Sequence, residues 1–118
     1  MSIDFEIYTK KLWDGVALAQ NSSLTSEMID LTRKAENWRF SLQYYFTSTG
    51  AATITVKVLV SNDGVNFVDT DTAIGTNLAK DTHDVLEFDP SYCRYIQIEI
   101  SEDDVAAITE LTVVLTIA

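Results

Sequence analysis

Four stretches of this chain alternate apolar and other residues with a period of two. Trp38, Phe40, Leu42, Tyr44 and Phe46 are interleaved with Arg39, Ser41, Gln43, Tyr45 and Thr47. Ile54, Val56, Val58 and Val60 share one face of a second stretch, with Thr55 and Lys57 on the other. Ile96, Ile98 and Ile100 alternate with Gln97, Glu99 and Ser101, and Leu111, Val113, Leu115 and Ile117 close the chain in the same way. A strand points successive side chains to opposite faces, so each stretch can bury one side and wet the other. A helix period of 3.6 would scatter these residues around its circumference.

Shorter strands are expected at Asp4–Thr9, Val16–Ala19, Met28–Thr32, Phe67–Asp69 and Val85–Phe88. Ser26 to Lys34 has a helical alternative, capped by Ser26. Ser61-Asn62-Asp63-Gly64 has the composition of a hairpin turn, with Asn62, Asp63 and Gly64 as structural turn residues and Gly64 free to take positive φ. Ser48-Thr49-Gly50 and Asp89-Pro90-Ser91 mark two more turns. The expectation is an all-β fold: one antiparallel β-sandwich of jelly-roll type with about eight strands. Residues 1–12 form an N-terminal arm or edge strand, and 13–118 the sandwich domain.

A length of 118 residues fits one such domain. Eight Lys and Arg against eighteen Asp and Glu give a net charge of −10. That balance argues against nucleic acid and against an anionic membrane surface as direct ligands. It is uneven: residues 1–40 hold six acids and five bases, and residues 41–118 hold twelve acids and three bases. The start of the chain has neither the basic nor the apolar region of a signal peptide, so synthesis in a host cytoplasm is expected. One cysteine, Cys93, excludes an internal disulfide and a cysteine-based zinc site.

Little in the sequence supports catalysis, and no enzyme activity or cofactor is expected. His83 is the only histidine and lies between Thr82 and Asp84 in a polar stretch, as a solvated loop residue would. Cys93 behaves as a small hydrophobe. Glu102-Asp103-Asp104 reads as a solvated acidic loop, with calcium binding as the alternative. Asn21-Ser22-Ser23 matches a glycosylation acceptor, which has no meaning without secretion. The aromatic residues offer more. Tyr45 falls on the outward side of its strand if the even positions are core, and Trp13 lies outside any strong strand pattern. Exposed aromatics suit protein or sugar contacts. Ile3, Phe5 and Ile7 alternate and could pair with the edge of another chain. The candidate interface is therefore Ile3, Phe5, Ile7, Trp13 and Tyr45.

Two resemblances follow from these residues. Val56 to Asp69, Phe88-Asp89-Pro90, Arg94-Tyr95-Ile96-Gln97-Ile98 and Leu111 to Leu115 resemble the strands and S-N-D-G turn of discoidin-type (coagulation factor 5/8 C) jelly rolls, over residues 52–117. The N-terminal half lacks that family's usual segment. Ile29-Asp30-Leu31, Trp38-Arg39-Phe40-Ser41-Leu42-Gln43, Thr47-Ser48-Thr49-Gly50 and Ser61-Asn62-Asp63-Gly64 together resemble small bacteriophage virion proteins of jelly-roll type. That second resemblance implies a virion structural protein, such as a capsid decoration protein or a head or tail fibre component. It implies a homo-oligomer, with a trimer favoured, bound to other virion proteins. The alternative is a carbohydrate-binding or receptor-binding module with a glycan ligand.

Overall fold

Burial of the alternating residues produces two packed sheets. The structure is a computed structural model that describes residues 7–31, 39–89 and 93–118, with the backbone alone at residues 71 and 72. Ile3, Phe5, Trp38 and the Pro90-Ser91 turn lie outside the described residues. Nine strands are found among those described: β1 (Tyr8–Leu18), β2 (Ser23–Thr25), β3 (Ile29–Asp30), β4 (Phe40–Ser48), β5 (Thr53–Ser61), β6 (Val68–Ala79), β7 (Asp84–Phe88), β8 (Tyr95–Glu102) and β9 (Ile108–Ile117). Sheet A has the order β1-β9-β4-β7, and sheet B the order β2-β8-β5-β6 with β3 also on β8. All pairings are antiparallel. Apart from the β2–β3 break and the β5–β6 hairpin, every connection passes from one sheet to the other. This is a jelly-roll sandwich in which β2 and β3 share one of the eight strand positions.

The inward residues are those the alternation selects. Phe40, Leu42, Tyr44 and Phe46 of β4 face Ile54, Val56 and Val58 of β5, with Ile96, Ile98 and Ile100 of β8 and Leu111, Val113, Leu115 and Ile117 of β9. Most of these are fully enclosed. Val60 is half-buried, because it lies at the end of β5 beside the edge strand β6.

Several local expectations are corrected. Asp4–Thr9 and Val16–Ala19 are not two strands across the described part. β1 runs through both, bulging where its register with β9 shifts near Trp13 and Val16. The boundary expected between residues 12 and 13 therefore falls inside a strand. β6 is twelve residues long, where three were expected at Phe67–Asp69. Ser26 caps no helix. Its Oγ accepts the Ile98 N–H at 2.9 Å, its backbone N–H donates to the Ile98 carbonyl, and the chain resumes pairing at β3. The side chain thus stands in for ladder bonds lost at the break.

Strand direction gives the sandwich two unlike ends. At the first end lie the connections 19–22, 49–52, 80–83 and 103–107. Glu102 organises it and is not a solvated loop residue: it is 3% exposed. Its carboxylate accepts the backbone N–H groups of Asn21 and Asp104 at 2.8 Å, and those of Val105 and Ala106 at 3.0 and 3.3 Å. Burial pushes this carboxyl up, but the four N–H donors outweigh it and hold the group below its ordinary range. Asp103 accepts the hydroxyls of Thr53 and Thr55, which ties the same loop to β5.

The second end holds the start of β1, the 62–67 hairpin, Leu31 after β3, Arg39 before β4, and Asp89, Cys93 and Arg94 between β7 and β8. In the hairpin, Asp63 Oδ1 accepts the N–H groups of Val65 and Asn66, both at 2.8 Å. Those bonds, with one from the Asn66 amide and one from the Ser61 hydroxyl, hold the exposed Asp63 carboxyl far below its ordinary range. Asn62 Oδ1 accepts the Arg94 N–H, joining the hairpin to the β7–β8 connection. Gly64 sits at φ +74°, and a Cβ there would stand 3.3 Å from Met28 Sδ and from the Tyr95 ring. Positive φ and this close approach both favour glycine.

Three outcomes follow for stability. Ile98→Ala leaves a cavity between the sheets and costs about 2–5 kcal/mol in denaturant unfolding. Gly64→Val costs about 1–3 kcal/mol by the same measurement, from strained φ. The Asp63 and Glu102 carboxyls both titrate lower in the folded chain than in the unfolded one. Their stabilisation is therefore complete above about pH 5 and is lost as pH falls below about 4. The Asp63→Asn/Glu102→Gln variant accordingly shows a shallower loss of stability between pH 5 and 2 than the parent chain.

Candidate assembly surface

Solvent reaches six large hydrophobic side chains among the described residues, and four of them belong to the second end. These are Ile7 at 67% exposure, Met28 at 45%, Val65 at 80% and Val68 at 59%. Single exposed apolar residues are ordinary on protein surfaces; a gathering at one end is not. Two further features place polar and aromatic groups there. The Arg94 guanidinium lies 5.1 Å from the centre of the Tyr95 ring, a cation–π contact. Tyr95 and Met28 both flank Gly64. Met, Tyr and Arg are the residue types enriched where proteins meet.

A second surface is the outward face of sheet A. The register aligns Thr9, Thr116, Ser41 and Glu87 in one row, and Lys11, Val114, Gln43 and Val85 in another. Thr112 and Tyr45 follow. The hydroxyls are largely engaged within the sheet. Thr47 and Thr109 share a hydrogen bond of 2.6 Å, Thr9 and Thr116 approach to 3.5 Å, and Thr112 Oγ1 accepts the Gly15 N–H at 3.1 Å. At its lower corner lies an open groove of about 620 Å³, lined by Arg39, Ser41, Glu87, Asp89 and Thr116.

The sequence candidates are distributed unevenly over these surfaces. Ile7 stands exposed just before β1. Tyr45 is outward and half-buried, and the His83 ring stacks on it with centroids 4.2 Å apart. His83 is thus an exposed loop residue with a specific partner. Trp13 is not a free aromatic: it sits in β1 opposite Val113 and packs against the core. The bulges of β1 turn it inward. Asn62, Asp63 and Gly64 lie in the hairpin beside Met28 and Tyr95. Cys93 is half-buried against the core, and burial pushes its thiol up, away from the reactive thiolate form. Among the described residues no cluster of three His, Cys, Asp or Glu side chains could hold a metal ion.

Sequence reasoning did not single out Met28, Val65 or Val68. Val65 carried a signal, since an apolar residue directly after a turn glycine has no core to enter. Met28 carried none, because its exposure depends on the break between β2 and β3.

No family model and no curated protein matches this chain. Solved structures do. The PBSX exported protein XepA superposes with a TM-score of 0.70 at 12% identity, over 94% of this chain and 37% of that one. VP2 of an infectious bursal disease virus subviral particle superposes with a TM-score of 0.58 at 10% identity, over 95% of this chain and 32% of that one. The chain spans about a third of the length of these two proteins. The SPBc2 prophage-derived protein YomS is similar along its whole length, with a TM-score of 0.50 at 10% identity, over 98% of this chain and 99% of that one. At such identities the likeness is one of fold: this chain shares its jelly-roll β-sandwich with phage-derived proteins and with a viral capsid protein.

Proposed function

We propose that this chain is a structural protein of a bacteriophage particle, acting by protein–protein assembly as a capsid decoration or a head or tail fibre component. The observation that carries the reading is that four exposed apolar side chains share the end of a jelly roll at which β1 begins. Val65, 80% exposed, directly follows the Gly64 that Met28 flanks, and Ile7 lies at the same end of the sandwich. Docked against another virion protein, these side chains are removed from water, each gaining the transfer free energy of its buried area. The similarity in fold to a viral capsid protein and to two phage-derived proteins supports the same reading. The protein is a homo-oligomer in this reading, a trimer by the resemblance to virion jelly rolls, and is carried in the virion after synthesis in the host cytoplasm.

The carbohydrate-binding alternative rests on the discoidin resemblance and on Tyr45. One face of that ring is already covered by His83, which leaves half of a stacking platform. Assembly is the better supported reading.

The test is the composition of purified particles. Mass spectrometry of gradient-purified virions detects the chain in stoichiometric amounts. Val65→Asp, which alters an exposed loop side chain and leaves the melting temperature unchanged, lowers its particle occupancy roughly tenfold or more. Absence from virions, combined with a glycan-array signal that Tyr45→Ala removes, overturns the proposal in favour of sugar binding.

A further inference from the structure

We infer that copies of this chain join head to tail along the edges of sheet A, the β7 edge of one copy adding to the start of β1 in the next. The inference rests on the reading that the chain acts as a homo-oligomer, and it adds the surface through which copies meet. It begins with the backbone groups that each edge leaves open. Arg39 and Ala118 exchange both backbone hydrogen bonds. Such pairs alternate along an antiparallel ladder, and the β4–β9 register holds from Phe40 to Thr47. Ser41 and Gln43 therefore bond β9, while Phe40, Leu42 and Tyr44 bond Phe88, Leu86 and Asp84 of β7. The N–H and C=O groups of Val85 and Glu87 then point off the sheet. The Val85 N–H accordingly donates to the neighbouring Asp84 carboxylate at 2.8 Å. By the same alternation Tyr8 and Lys10 bond β9, and the groups of Thr9 and Lys11 point off the other edge.

Chain direction and side-chain facing fit this pairing. In the order β1-β9-β4-β7, with every pairing antiparallel, β1 and β7 run in opposite directions. A second copy placed alongside in the same orientation thus brings its β1 antiparallel to β7. The open residues on both edges are those whose side chains face outward, so pairing them continues one core side and one outward side across the seam. With Glu87 opposite Lys11, Asp89 meets Thr9. Leu86 then meets Leu12, and both are half-buried against their own cores.

Two observations select these edges. The first is regularity. β7 pairs along its whole length without a shift, and so does β1 from Tyr8 to Lys11. In sheet B, the edge strand β6 shifts register three times, and the opposite edge is divided into β2 and β3, three and two residues long. Bulges and short strands close an edge to further pairing. The second observation is charge at the seam. The open positions of β1 offer Lys11, and those of β7 offer Glu87, with Asp84 and Asp89 to either side. Lys10 faces the core side and pairs with Glu27. Two β7 edges would set acids against acids, and two β1 edges would bring Lys11 to Lys11. Each edge is thus opposed to its own kind and suited to the other. Asp14 lies 3.5 Å from Lys11 with both side chains exposed, a contact weak enough for Lys11 to exchange. An interface between unlike surfaces repeats from copy to copy and builds a ring or an open row. Four paired residues span about 13 Å, so each contact is weak alone and is sustained by the high local concentration of a particle.

Sedimentation velocity of the full chain across a concentration series tests this. The parent chain forms reversible oligomers that grow past the dimer. Glu87→Pro removes only the N–H that points off the edge, where proline is tolerated, and abolishes association with little change in melting temperature. Glu87→Lys and Lys11→Glu each weaken association roughly fivefold. An equimolar mixture of these two variants restores it, since the altered edge of one faces the altered edge of the other. A folding defect would not be repaired by mixing, so the mixture decides even where Glu87→Pro fails to fold. Val65→Asp, at the second end, leaves association unchanged. A parent chain that stays monomeric at millimolar concentration overturns the inference, as do oligomers that stop at the dimer. So does association that survives Glu87→Pro, is lost in Val65→Asp, or is not restored by the mixture. Virion content is read separately by mass spectrometry. A failed association leaves the structural-protein reading standing, and a chain that associates through these edges but is absent from virions fails that reading alone.

Discussion

Each sheet has one face that must leave water, and the placement of every other side chain follows from that requirement. The even residues of β4, β5 and β8 and the odd residues of β9 from Leu111 onward meet between the sheets. A slip of one residue in any of these strands would put four or so large apolar groups in water and as many polar ones in the core. The outward residues are fixed by the same choice. Tyr45 is outside because Tyr44 and Phe46 are inside, and Lys57 is outside because Val56 and Val58 are inside. The register that builds the core therefore also composes the two outer faces.

The ends of the sandwich face a different problem. Connections that cross between sheets leave backbone N–H groups with no strand to pair with, and buried ones are costly. The chain meets this twice with a carboxylate. Glu102 gathers four N–H donors from two loops at one end, and Asp63 gathers two within the hairpin at the other. Asn21 and Asp104, whose N–H groups point at Glu102, take positive φ to do so, a conformation Asn and Asp tolerate. A run of acids such as Glu102-Asp103-Asp104 invites a cation in its place. The carboxylate of Glu102 is turned to backbone N–H groups of the chain itself, and each oxygen of Asp103 accepts a threonine hydroxyl.

How far the fold could be read from the residues depended on how many neighbours each strand has. β4, β5, β8 and β9 are flanked on both sides, one face of each is sealed, and their alternation is strict. β5 spans Thr53–Ser61 as the alternation alone indicates. β6 is an edge strand whose register with β5 shifts three times, so its sequence, Val68 to Ala79, keeps no period. β1 hides its continuity in the same way, and its bulges put Trp13 on the core side. The break at Ser26 is invisible without Ile98 opposite it. The exposed apolar end was the least legible feature. Ile7, Met28 and the hairpin residues Val65 and Val68 come from three separate segments, and only the jelly-roll path puts them at one end.

Net charge and local charge act over different ranges here. Two copies at −10 repel at a distance, which keeps free chains apart and soluble. At physiological salt that repulsion is screened beyond about 8 Å, so in contact only the side chains that face each other count. The acids are spread over the first end in Asp81, Asp84, Asp103 and Asp104, across sheet B in Asp30, Asp69 and Glu99, and across the outward side of sheet A in Asp14, Glu87, Asp89 and Glu110. The apolar second end also carries two of the chain's few bases, Arg39 and Arg94.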